Sequence, residues 1–240
     1  MSVDRDRIEA AVSEMLAAIG DDPGREGLVD TPQRVAALFA ELYGGTGSDP
    51  ASALGETFVA EVAAGAASTG TQADAGPATG AAPGPVLIRD IAFRSVCEHH
   101  LLPFDGVAHV AYLPGDRVAG LGGVVRVVES AASRPQLQER LTDDIADALE
   151  RGLGARGVLV VMDARHGCVT LRGPRQTGST TLTLAARGAL AEPEARAELV
   201  ALIAAPRQAD PGADGAADPG ADGSVSEGRA RSVASDGGSA

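Results

Sequence analysis

The 240-residue chain is 44% apolar but only 2% aromatic and carries a formal charge of −13, so it can bury an aliphatic core yet lacks the basic surface that general nucleic-acid binding needs. Its two cysteines exclude a disulfide framework, and no apolar run reaches the roughly 18 residues of a membrane span. The polar start, residues 1–7, is unlike a signal peptide, so a cytoplasmic protein with neither nucleic-acid nor membrane partners is expected.

Residues 4–19 read as an amphipathic helix, with Ile8, Val12, Met15, Leu16 and Ile19 at helical spacing and Gly20 as its stop. A second helix starts at Thr31-Pro32, with Thr31 as N-cap, and buries Val35, Leu38, Phe39 and Leu42. Residues 62–85 are mostly Ala, Gly, Thr and Pro, which bury too little to offset their ordering entropy and read as a flexible insertion. Strands are predicted at 86–96 and 106–113, helices at 124–132 and 136–152, and strands at 157–164, 168–173 and 179–186. A last helix, 192–204, precedes an Asp-Pro-Gly-Ala-rich tail that reads as disordered. This order predicts an α+β fold, an antiparallel four-stranded sheet with two helices on one face, preceded by an N-terminal helical pair. The domain boundaries are 1–61 for the helical region, 62–85 for the insertion, 86–205 for the α+β domain and 206–240 for the tail.

Both cysteines and three of the four histidines fall in two short pieces, Cys97-Glu98-His99-His100 and His166-Gly167-Cys168. Cys97 and His100 have the C-x-x-H spacing that lets a thiolate and an imidazole reach one ion from a turn, and Cys168 supplies a third ligand. A Cys₂His set suits zinc, and three protein ligands leave a fourth position for water. His99 and His166 are then free for acid–base work. His109 sits mid-strand and reads as a packed or hydrogen-bonded structural residue.

The run from Ser95 to Phe104 (SVCEHHLLPF) resembles the signature of GTP cyclohydrolase I. So do GVAHVAYLP at 106–114, RPQLQERLT at 134–142, HGCVTLRGPR at 166–175 and DTPQRVA at 30–36. The resemblance spans roughly 5–204 and implies the T-fold, a homo-oligomer (a decamer in this family) with active sites between subunits, and conversion of GTP and water to 7,8-dihydroneopterin triphosphate and formate, the first step of tetrahydrofolate and pterin synthesis. It assigns Zn2+ to Cys97, His100 and Cys168, and acid–base roles to His99 and His166. It places Glu139 on the guanine edge, with Gln138 beside it at the substrate, and Arg34, Arg126 and Arg172 around the triphosphate.

Two stretches, with three residues changed between them, depart from the family pattern. The usual Gly-Leu-Ser-Lys is Gly120-Leu121-Gly122-Gly123, and the lysine three residues after Arg34 is Ala37. Losing two cations and a hydroxyl weakens phosphate binding unless other arginines, or the backbone N–H groups of Gly122-Gly123, compensate. A paralogue acting on a different guanine nucleotide, or a zinc-stabilised binding subunit, are the alternatives.

Overall fold

The aliphatic runs become strands and the periodic stripes become helices. In chain order they are α1 (Arg5–Ala18), α2 (Thr31–Leu42), β1 (Thr57–Val59), β2 (Val86–Cys97), β3 (Pro103–Leu113), β4 (Arg117–Ala119), α3 (Leu121–Ala132), β5 (Pro135–Gln136), α4 (Gln138–Leu153), β6 (Gly157–His166), α5 (Gly167–Thr170), β7 (Thr181–Gly188) and α6 (Pro193–Ala204). The structure is a computed structural model and describes residues 3–60 and 83–206. The expected insertion at 62–85 and tail at 206–240 therefore lie outside the described residues, apart from 83–85 and Pro206.

The main sheet has the order β5-β2-β3-β6-β7. Its four long strands are antiparallel, as expected, and the two-residue β5 adds a short parallel pairing at the end of β2, Val96 with Pro135 and Cys97 with Gln136. Between Ile88 and Ile91 the β2–β3 register slips, and Asp90 takes a positive φ of 61°. The Asp90 N–H donates to Nδ1 of the buried His109 at 3.1 Å, so His109 has the structural role its strand position suggested. β1 and β4 pair in a separate ribbon that the sequence reading had not anticipated, because three-residue strands carry almost no periodic signal.

α3 and α4 lie on one face of the sheet. Val124, Val127, Val128 and Ala131 of α3 and Leu141, Ile145, Ala148 and Leu149 of α4 are fully buried against Ala108, Val110, Val158, Val160 and Met162. Each fully buried Val, Leu or Ile contributes about 1.5–3 kcal/mol, which lets an almost aromatic-free core hold the domain. Arg187 of β7 clamps the edge strand to α4 through Asp143 at 2.7 Å and Asp147 at 2.8 Å. The opposite face is covered at one end by Leu190 and by Leu199 of α6, packed on Ala111, Leu159 and Val161. This is the α+β arrangement expected of the T-fold.

α1 begins at Asp4, whose carboxylate caps the Arg7 N–H at 3.1 Å. Val12 and Leu16 are buried, whereas Met15 and Ile19 of the same stripe stay exposed at 55% and 72%. α2 is preceded by Asp30 as N-cap rather than Thr31, with Pro32 in the first turn. The helical pair joins the sheet domain through the Gly45 N–H, which donates to the Ser133 carbonyl at the end of α3 at 2.8 Å.

Candidate active site

The hairpin loop between β2 and β3 carries Cys97-Glu98-His99-His100. It is closed by two backbone bonds, Cys97 N–H to Leu102 O and Leu101 N–H to Cys97 O, both 2.9 Å. Leu101 adopts the left-handed region with φ 53°, which costs a non-glycine residue about 1–2 kcal/mol. The loop is also tied to the start of α4. The Glu98 N–H donates to Gln136 O at 3.0 Å, and the Arg140 guanidinium donates to both Glu98 carboxylate oxygens at 2.6 and 3.3 Å. The Arg140 bond holds the Glu98 carboxyl below the usual carboxylate range.

His166 ends β6 opposite Phe104, and their rings stack at 4.7 Å with planes 4° apart. The chain then turns at Gly167 into α5, where a strand had been expected over 168–173. Two bonds favour the helical turn, Leu171 N–H to Gly167 O at 3.0 Å and Thr170 hydroxyl to His166 O at 3.1 Å. The turn sits so close to the hairpin that a Cβ on residue 167 would lie 2.8 Å from the Pro103 carbonyl oxygen. This contact delivers Cys168 to Cys97.

The two thiols, 71 residues apart, are close enough for Cys97 to act on Cys168, which packs against the core cluster that holds Cys97. Burial, and then the neighbouring Cys97, push the Cys168 thiol above its ordinary value, with Arg172 pulling weakly the other way. Among the described residues no three His, Cys, Asp or Glu side chains gather as a metal cage, so only two members of the expected triad meet. The third, His100, is exposed, and its Nε2 accepts from the Arg172 guanidinium at 3.3 Å instead. His99 lies edge-on to His100 at 6.4 Å, also exposed.

Gln138 and Glu139 open α4. Glu139 is exposed, and its charge reaches His166, partly offsetting the burial that lowers the imidazole from its ordinary value. Gln138, expected at the substrate, is instead 1% exposed, with its amide spent inside the protein. It bonds His166 Nε2 at 2.6 Å through Oε1, and Thr181 O, Met162 O and Thr183 Oγ1 through Nε2.

Of the three arginines expected at the phosphates, only Arg172 touches the Cys–His group. Arg34 pairs with Asp30 on α2 at 3.0 Å. Arg126 donates to the carbonyls of Ala53 and Leu54, at 3.1 and 3.3 Å. The same 50–54 turn explains one departure from the family pattern. A Cβ at Gly123 would lie 2.3 Å from Leu54 O, so no side chain fits there unless the turn moves. The sequence reading missed Phe104, Arg140 and Gly167. Phe104 and Gly167 stand inside the quoted motifs, but their roles depend on strands paired across sixty residues.

A family model described as GTP cyclohydrolase I matches residues 8–204. The chain is 59% identical over 200 residues to a GTP cyclohydrolase 1 of Leifsonia xyli subsp. xyli, covering 83% of this chain and 95% of that protein. It is 48% identical to the enzyme of that name from Rhodopirellula baltica, over 84% of this chain and 80% of the relative. A Streptococcus pyogenes GTP cyclohydrolase 1 is 45% identical, over 85% and 95%.

Proposed function

The chain belongs to the GTP cyclohydrolase I family, and from that premise we propose that it hydrolyses and rearranges GTP to 7,8-dihydroneopterin triphosphate and formate, at the start of tetrahydrofolate and pterin synthesis. The observation that carries the reading is the meeting of Cys97 and Cys168 from two distant hairpin ends, with His166 held by Gln138 at the first turn of α4.

Cys97, Cys168 and His100 would hold zinc. They fit it in kind: two neighbouring thiols are soft donors that each give up a proton to a divalent cation, and an exposed imidazole lies on the same loop. Zinc bound there supplies Lewis-acid activation of water at neutral pH. The protein's own groups do the rest. The Glu139 carboxylate accepts two N–H bonds from the guanine edge and orients the base. His166, held on Phe104, exchanges a proton with the imidazole ring of the base as it opens. His99 faces the ribose. Arg172, Arg126 and Arg34 neutralise the triphosphate, the last two by releasing their present partners.

A homo-oligomer, a decamer in the family pattern, with sites between subunits is part of the same proposal. Supporting it, β7 ends the sheet among the described residues and exposes Leu182 at 66% and Leu184 at 42%. Arg34 makes no bond to the Cys–His group of its own chain, so the helical pair can serve another copy.

The test is incubation of zinc-loaded protein with GTP, GDP and GMP, reading formate and the fluorescent pterin after oxidation. Product from GTP is expected. No product from any nucleotide overturns the reading, and product from GDP or GMP alone moves the substrate.

A further inference from the structure

The buried amide of Gln138 has only one orientation that satisfies its neighbours. Its Nε2 faces two backbone carbonyls, Thr181 O at 2.8 Å and Met162 O at 3.3 Å, which can only accept. The hydroxyls agree. Thr142 donates to the Gln138 carbonyl at 2.7 Å, so Thr183 donates to Thr142 at 2.6 Å and its own oxygen accepts from Gln138 Nε2 at 3.1 Å. The side-chain oxygen must then be the atom that lies 2.6 Å from His166 Nε2. An amide oxygen has no proton to give, so the hydrogen in that bond belongs to the imidazole.

We propose that Gln138 is a positioning residue that fixes His166 as its Nε2–H tautomer, so that the ring meets the substrate through Nδ1. Among the described residues Nδ1 has no hydrogen-bond partner, and the stack on Phe104 fixes the plane in which its lone pair lies. A proton taken up at Nδ1 is returned from Nδ1, while Nε2–H stays on Gln138 throughout. This rests on the acid–base reading of His166, and it makes the amide, two positions before Arg140, part of the reaction's geometry without touching the substrate.

Two substitutions separate positioning from simple bracing of α4. Gln138→Met and Gln138→Glu both remove the amide donors to Thr181 and Met162, but only Gln138→Glu keeps an oxygen that accepts from Nε2–H. The expected result is a kcat loss of about 100-fold in Gln138→Met with KM within about threefold, and a loss of under about tenfold in Gln138→Glu. Equal losses in the two variants, or a change confined to KM, overturn the proposal. A second measurement needs no substitution and no turnover. The chain has four histidines, so solid-state NMR of the zinc-loaded, 15N-histidine-labelled protein can assign each ring, using His166→Asn to identify the signal. An Nε2–H signature at His166 is expected, and an Nδ1–H signature overturns the proposal. Absence of formate from GTP would end the functional reading instead, and the spectrum decides the tautomer in either case.

Discussion

Replacing Gly167 by alanine tests the contact that brings the two thiols together. The added Cβ would lie 2.8 Å from the Pro103 carbonyl oxygen, 3.4 Å from Leu171 Cδ1 and 3.5 Å from Leu102 Cβ. The first of these is the severe one, because its partner is backbone at the start of β3 and cannot swing aside. Overpacking of this kind costs about 1–3 kcal/mol. Against it, alanine lowers the entropy of the unfolded chain and gains about 0.4–1 kcal/mol. The clash outweighs the gain over nearly all of this range, leaving a net destabilisation of up to about 2.6 kcal/mol. For a body of this size each kcal/mol moves the melting temperature by about 2–4 °C. Calorimetry on the variant should therefore show a fall of up to about 10 °C. Relief of the clash carries α5, and Cys168 with it, away from the hairpin, so after chelation the thiols should react faster with a disulfide reagent. A melting temperature that rises, with thiol reactivity unchanged, would refute both the close approach and its role in pairing the cysteines.

Purified protein should carry about one zinc per chain, and Cys97→Ser should abolish retention; a metal content near zero in the unsubstituted protein removes the metal centre. Glu139→Gln keeps the size but loses the charge and one of two acceptors. Metal analysis should show normal zinc while kcat/KM for GTP falls by about 10–100-fold, and unchanged kinetics would free Glu139 from any part in base recognition. Glu98→Gln and Arg140→Gln each break the pair that ties the hairpin loop to α4, both of whose side chains are partly open to water. Each should change kcat/KM by no more than about fivefold, and the double variant should be no worse than either single one; additive losses would mean the two residues act independently.

The long elements were legible because their patterns are local. The buried run GVLVVMDA and the Leu137–Leu149 stripe are strand and helix whatever lies around them. Residues 168–173 were misread for the opposite reason. Their Val and Thr favour a strand, and only the approach of Gly167 to Pro103 turns them into a helical turn. The metal-ligand candidates stood out by clustering, since cysteine and histidine are scarce in this chain. The supporting groups did not. Gln138 is marked by the motif as a substrate contact, whereas its bond to His166 exists only because α4 packs over β6 and β7. Arg126 and Arg34 were identified by motif, yet what they now bind, the 50–54 turn and Asp30, follows from tertiary neighbours and rotamer choice.

The slip at Asp90 decides, by parity, something seven residues along β2, about 23 Å away at about 3.3 Å per residue. Before it, the even-numbered Val86 and Ile88 of β2 pack into the main core, while Leu87 packs on the other side of the sheet. After it, the odd-numbered Ile91, Phe93 and Cys97 take the core side. β2 spends three steps from Ile88 to Ile91 while β3 spends two from Val110 to Ala108, so one residue is surplus. If the same residues ran on as a regular strand, with no bulge, the first phase would continue and Cys97 would arrive facing away from Cys168. A single bulged aspartate, held by His109, thus sets which side of the sheet the cysteine serves.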